Sequence, residues 1–175
     1  MDTWDAIRAR RNVRDFTDEP IPAEHLDQIL EAGRRAPSSK NGQPWELVAV
    51  TDRAALQELS KVWQSAVPVA GSAATIALVA HKRDDPRGGT VLHFDLGLLA
   101  ASMTLVATSL NIGSGIVYVD DKDMAARLLG LPDDRFAALL ITLGYPADRP
   151  LKPIKNPNRR PFDDVVRRER WDNRG

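Results

Sequence analysis

The chain has 175 residues, of which 43% are hydrophobic and 27% charged, and its 24 basic and 24 acidic side chains leave a formal net charge of +0. That length predicts one domain, residues 1–175, with its own core, and the charge balance excludes a global basic field for nucleic acid or an anionic membrane. With no cysteine there is no disulfide framework, iron–sulfur cluster or thiol nucleophile.

The N-terminus, MDTWDAIRARR, has charges where a secretory leader needs an apolar core, so a cytoplasmic protein is expected. Asp2 or Thr3 can cap a short first helix with Trp4, Ile7 and Ala6 facing inward. Arg10, Arg11 and Arg14 then crowd into RRNVRDF, residues 10–16. Guanidinium forks suit phosphate, and forks this close together need an anion or a carboxylate to screen them. The bland reading is a solvated helix end paired with Asp5, Asp15, Asp18 or Glu19.

A second helix is predicted over Glu24–Arg35, with Leu26, Ile29, Leu30 and Gly33 at helical spacing and Pro37 as its stop. The following PSSKNGQPW is rich in hydroxyl and amide groups. Ser38, Ser39, Asn41 and Gln43 can bond a heteroaromatic ring edge or ribityl hydroxyls, or simply close a turn on their own backbone. Leu47–Thr51 reads as a buried strand, Asp52 to about Trp63 as a helix, Ser65–Pro68 as a break, and Ala73–Ala80 as a second buried strand. HKRDDPRGG, residues 81–89, reads as a loop.

The longest predicted helix is Thr90–Leu110, with Leu92, Leu96, Leu99, Met103 and Val106 on one face and small residues on the others. A helix apolar nearly all round is buried on several sides. Its apolar stretch from Leu96 to Leu110 is read as too short and too mixed to span a bilayer. In Asn111-Ile112-Gly113-Ser114-Gly115 the two glycines permit positive φ and close approach to a ligand, or serve only a helix end and strand entry. Without a third glycine or a following lysine this is neither a dinucleotide fingerprint nor a phosphate loop. A strand at Ile116–Val119, a helix at Asp121–Leu129 closed by Gly130 and a strand at Phe136–Leu143 follow. Five prolines between Pro146 and Pro161 predict an extended C-terminal arm, residues 146–175, with a second basic pair at Arg159–Arg160. Helices and strands mix without strict βαβ alternation, so the expected class is α+β.

Other chemistry has little support. His25, His81 and His93 are scattered, with His25 expected in solvent and His93 packed. There is no HExxH, no GxSxG and no acid pair at useful spacing, so neither a metal centre nor a hydrolytic site is expected.

RRNVRDF, then ILEAGRRAPSSKNGQPWELVAV, the long helix closing in LNIGSG, LLITLGYPADRP and RRPFDDVV together resemble the FMN-dependent nitroreductase family, in order and over nearly the whole chain. The resemblance implies a mixed β-sheet flanked by helices, an intertwined homodimer, and FMN sites at the interface lined by both subunits. By position, Arg10, Asn12 and Arg14 match the N-terminal flavin motif, with Arg11 inside it and asparagine where serine is usual. Pro37, Ser38, Ser39 and Asn41 match the segment that reaches the partner's flavin. Ile112, Gly113 and Ser114 match the turn near the ring, although Ile116 and Val117 follow where aromatic residues and cysteine are common. Arg159 and Arg160 match the pair that holds the phosphate. Between Thr51 and Thr90 there is no room for the helical excursion that often covers the substrate channel.

The resemblance implies an enzyme in which FMN takes hydride from NAD(P)H and reduces a nitroaromatic, quinone or enone by a ping-pong mechanism. No catalytic side chain is implied beyond Arg14, which would stabilise charge at the flavin N1/O2 edge. Dehalogenation, flavin fragmentation, oxidation chemistry, or a non-catalytic FMN-binding redox sensor are the alternatives.

Overall fold

The computed structural model describes residues 1–82 and 85–172. The predicted loop at 81–89 therefore falls partly, through Arg83 and Asp84, outside the described residues, as do residues 173–175 of the tail.

Among the described residues one sheet of four strands forms: β1 (Trp45–Val50), β2 (Ala74–His81), β3 (Gly113–Tyr118) and β4 (Arg135–Gly144), in the order β1-β2-β4-β3. Every neighbouring pair is antiparallel, with a register shift between Leu78 and Val79 where β2 meets β4. The expected mixed sheet is corrected on this point. Strand direction is not legible here, because each crossover contains helix and a helix can return the chain either way. A parallel pairing survives only as an isolated bridge between Asn12 and Ser114.

Helices cover both sheet faces. On one lie α2 (Ala23–Arg34) and α5 (Pro86–Ser109), which with Ile76, Leu78, Ile141 and Leu143 enclose a core built on Leu96, Leu99 and Met103. On the other, α3 (Arg53–Leu59) and α6 (Lys122–Leu129) close over Ala77, Val79, Val117 and Leu140. Covered on both sides, β2 reads as the continuous apolar run ATIALVA rather than an alternation. At the crossing of α2 and α5 a Cβ on Gly33 would sit 2.8 Å from the Met103 sulfur and 3.1 Å from Leu47.

Several boundaries differ from expectation for identifiable reasons. α1 (Thr3–Ala9) is capped by Asp2, but it buries Ala6 and Ala9, while Trp4 and Ile7 are exposed. The expected break at 65–68 is a 3-10 turn followed by α4 (Val67–Gly71), with Pro68 in the first turn where its missing N–H costs nothing. α5 starts at Pro86, not Thr90, because the Asp85 carboxylate accepts the Gly88 N–H and Pro86 occupies the first helical position. At 24 residues it is by length and composition able to cross a membrane, as core helices can be, while the apolar stretch read from the sequence, Leu96–Leu110, covers only its second part. In this fold its Leu92–Leu96–Leu99–Met103 face is core. Beyond β4, residues 145–161 form neither helix nor strand, and α7 (Phe162–Val165) follows.

Candidate functional site

After α1 the chain straightens, and the two-residue period of an extended segment sorts RRNVR into two sides. Val13 points in, buried; its N–H donates to the Ser114 carbonyl at 2.9 Å. Arg11 points to the same side, and its side chain is only 14% exposed. Its Nη2 donates to Asp148 Oδ1 at 2.6 Å and to the Arg149 carbonyl at 2.8 Å. Arg10, Asn12 and Arg14 take the opposite side, with Arg10 Nη1 3.5 Å from Asn12 Oδ1, the outer limit of a hydrogen bond. Among the described residues no ion pair engages Arg10 or Arg14, so Asp15, Asp18 and Glu19 do not screen them. The basic pair Arg34–Arg35 behaves differently. Glu31 binds both at 2.6 Å, and their guanidinium groups hold its carboxyl down to about 2.

Beside this segment lies Ser114, 2% exposed, whose hydroxyl has no hydrogen-bond partner. A buried polar atom left so costs about 1–3 kcal/mol. The strand it sits on must lie flush against residues 12–14: a Cβ on Gly115 would come 2.8 Å from the Val13 carbonyl oxygen and 2.7 Å from Thr142 Oγ1. Gly113 and Gly115 thus belong to β3, with no positive φ, and make room for the neighbouring chain rather than for a turn. The left-handed residue is Asn111, φ 61, which ends α5 while the Ile112 N–H returns to the Ala107 carbonyl at 2.8 Å. The Ile112 side chain is fully buried in the core and cannot itself touch a ligand.

Arg14 also helps line a cleft of about 720 Å³, together with Asp15, Phe16, Ser65, Val67 and Pro68. The 65–71 wall has no sequence signature; only its placement against Arg14 brings it into the site.

The other candidate segment is elsewhere. Past exposed Pro37, Ser39–Asn41 form a 3-10 turn in which Lys40 (φ 52), Asn41 (φ 54) and nearby Gln43 (φ 45) are left-handed. L-residues adopt that region at about 1–2 kcal/mol each. Ser38 Oγ accepts the Gln43 N–H at 2.9 Å, and the Ser39 N–H donates to Asp95 Oδ1 at 3.0 Å. The turn and the first turns of α5 enclose a cavity of about 370 Å³ that Lys40, Arg87, Val91 and Asp95 help line. From Asp95 to Ser109, beyond which the chain enters β3, is about 21 Å of helix axis, fourteen residues at roughly 1.5 Å each. Residues 37–41 and the Arg10–Asn12–Arg14–Ser114 group therefore do not meet within one chain.

The tail folds back only in its first half. Thr17 N–H donates to the Tyr145 carbonyl (2.8 Å), Ala147 N–H to Asp15 (3.0 Å) and Ile154 N–H to Arg8 (3.1 Å), with Leu151 buried. The Arg11 hydrogen bond, reinforced by the Arg149 backbone, holds the Asp148 carboxyl below the usual carboxylate range. Arg159 and Arg160 lie beyond this zip, exposed. Arg159 Nη1 donates to the Asn158 carbonyl and Arg160 Nη2 to the Asp164 carbonyl. No recorded contact brings either to Arg10 or Arg14 among the described residues.

Among the described residues no group of three or more His, Asp or Glu side chains could hold a metal. His25, expected in solvent, is partly buried with Nδ1 unpartnered, and His93, expected to be packed, is exposed on α5 with Nδ1 2.6 Å from the Gly89 carbonyl oxygen one turn back.

A model described as the Nitroreductase family matches residues 7–80 and 63–145. A protein of Archaeoglobus fulgidus, provisionally named an NADH dehydrogenase/NAD(P)H nitroreductase, is 30% identical over 94% of this chain and 96% of its own length. A Bacillus subtilis protein named FMN reductase [NAD(P)H] is 31% identical over 87% of this chain and 69% of its own. The structure of YcnD from Bacillus subtilis, described as a hypothetical oxidoreductase, superposes with a TM-score of 0.83 at 27% identity, covering 99% of this chain and 76% of that one.

Proposed function

The chain belongs to the nitroreductase family, and on that premise we propose that it is an FMN-dependent oxidoreductase that takes hydride from NAD(P)H and reduces an electron-poor acceptor. The observation that carries this reading is the buried, unpartnered Ser114 hydroxyl beside two arginines, Arg10 and Arg14, that have no acidic partner among the described residues.

These residues fit a phosphorylated flavin. The Ser114 hydroxyl lacks a partner that a ring or ribityl oxygen can be; Asn12 offers an amide; Arg10 offers a fork for phosphate. Bound FMN would supply the hydride acceptance and delivery that no side chain of this chain can. Arg14 would place positive charge toward the N1/O2 edge, where reduction leaves negative charge. Arg159 and Arg160 join the phosphate by their position in the family motif, and their exposed, backbone-directed bonds are ones a phosphate could replace. The cleft beside Arg14, with Phe16, Val67 and Pro68 as apolar walls, suits a flat electron-poor acceptor such as a nitroaromatic, quinone or enone. Donor and acceptor would use it in turn, which makes the kinetics ping-pong.

A homodimer is part of the reading. The turn carrying Pro37, Ser38, Ser39 and Asn41 lies too far along α5 to serve its own chain's flavin, so it serves a second copy's. In support, α5 leaves a stripe of Thr90, Phe94, Gly97, Leu98 and Ala101 exposed, with Phe94 at 72%. Such a stripe asks for a partner.

The visible spectrum of the purified protein, before and after FMN titration, tests the reading. Flavin absorbance with saturable binding is expected, and turnover of NADH or NADPH with a quinone should give parallel double-reciprocal lines. A protein that binds no FMN on titration overturns it. A flavin-binding module without turnover is the second reading. It is favoured by the described residues of 51–90, which are taken up by α3, 3-10 turns, α4, β2 and the start of α5 and set only the short α4 and the turn before it against the cleft. Stopped-flow mixing with NADH and NADPH separates the two, since a module would stay oxidised.

A further inference from the structure

We propose that Asp95 is a positioning residue: its carboxylate sets the Ser38–Gln43 turn and, through it, the part of the flavin site that one copy of the chain lends to another. The geometry stands by itself; the consequence for flavin rests on the reading above.

Asp95 is only 5% exposed and sits between Leu92, Leu96 and Leu99 on the core-facing side of α5. A carboxylate there loses most of its hydration, and an apolar residue would serve the helix better. What it does instead is accept the Ser39 N–H at 3.0 Å, across 56 residues of sequence. Every other recorded hydrogen bond of residues 37–44 is local. The Asn41 N–H goes to the Ser38 carbonyl, the Gly42 N–H to the Ser39 carbonyl, the Gln43 N–H to the Ser38 hydroxyl, the Gln43 side chain to the Asn41 carbonyl, and the Trp45 N–H at the start of β1 to the Gln43 carbonyl. Those bonds close the turn within its own stretch of sequence. Among the described residues the Asp95 bond alone ties the turn to an element distant in sequence, at the entry to three left-handed residues, Lys40, Asn41 and Gln43. A negatively charged acceptor binds an amide more strongly than a neutral one. Among the described residues Lys40 and Arg87 share the cavity with Asp95, but neither forms an ion pair with it. The carboxylate is therefore committed to the backbone of the turn.

The test uses the full-length protein and two variants, Asp95→Leu and Asp95→Asn, with FMN as the probe. Asp95→Leu removes the buried charge and the acceptor together. Its melting temperature should hold or rise, while FMN affinity falls about tenfold or more, the loss expected when a charge-assisted bond disappears. In flavin-free protein, hydrogen exchange at residues 39–43 and tryptic cleavage after Lys40 should both quicken. Asp95→Asn keeps an acceptor oxygen and should recover most of the FMN affinity and the protection. Two results would overturn the proposal. One is an Asp95→Leu variant with wild-type FMN affinity and unchanged exchange in the turn. The other is a parallel fall of melting temperature and affinity in both variants, which marks a purely structural residue. If the wild type itself binds no FMN, the flavin reading fails, while the exchange and cleavage measurements still decide whether Asp95 holds the turn.

Discussion

Arg11 and Arg14 stand three residues apart, yet one is bound into the fold and the other faces the candidate cleft. Arg11 is turned inward onto Asp148 and the Arg149 carbonyl, whereas Arg14 is turned outward to the cleft with no acidic partner recorded. Arg11→Ala should therefore loosen the tail, seen as earlier proteolysis between residues 145 and 154. Arg14→Ala should leave the melting temperature nearly unchanged while weakening FMN binding and slowing reduction by NAD(P)H; an unchanged reduction rate would remove Arg14 from its role. The Arg11–Asp148 pair also predicts a pH effect. The Asp148 carboxyl is lowered in the folded state, so its contribution is fully present above the unfolded value, about 4, and is lost as pH falls through the lower folded value. Tail protection measured by hydrogen exchange should be flat from pH 5 to 8 and decline only in stronger acid, and Asp148→Asn should abolish that dependence. Gly115 is set by contact rather than by φ. Gly115→Ala must displace the Val13 carbonyl or Thr142, and a cost of about 1–3 kcal/mol in denaturant unfolding is expected.

At the scale of elements, α5 does three things with three faces. Leu92, Leu96, Leu99 and Met103 hold the sheet, Asp95 holds the 38–43 turn, and Phe94 and Leu98 face outward without cover. Leu99→Ala, at a fully buried position, should cost about 2–5 kcal/mol as a cavity substitution. Phe94→Asp and Leu98→Asp leave that core untouched. The extended segments at 10–17 and 145–154 form a second unit, tied by backbone bonds to each other and to β3, so that the outward arginines are presented on a fixed rail.

At the scale of the molecule, about 21 Å of α5 axis separates Asp95, which holds the 38–43 turn, from Ser109, and in the proposed reading a second copy unites the two candidate segments. The double variant Phe94→Asp, Leu98→Asp should shift sedimentation toward monomer and reduce FMN affinity together, while circular dichroism stays native. A monomeric double variant with full FMN affinity would show that one chain suffices. The family's cofactor, the exposed stripe and the divided site then stand or fall on separate measurements.

The sequence by itself determined the α+β class, most element positions and the closing of α6 by Gly130, narrowed the first cap to Asp2 or Thr3, and marked Arg10, Arg11, Asn12 and Arg14 as one candidate group. Each follows from local period, capping chemistry or an ordered resemblance. Only the tertiary structure decided that Arg11 leaves that group, that Gly113 and Gly115 serve a strand packed on Val13 rather than a ligand turn, that Ile112 is core, and that the 65–71 segment walls the cleft. It also set every strand pair antiparallel and left Arg159 and Arg160 beyond the zipped half of the tail. The physical reason is the same in each case. Periodicity and capping act within one turn or a few residues, whereas these outcomes depend on which distant backbone lies within about 3 Å of the residue, and no local pattern encodes that distance.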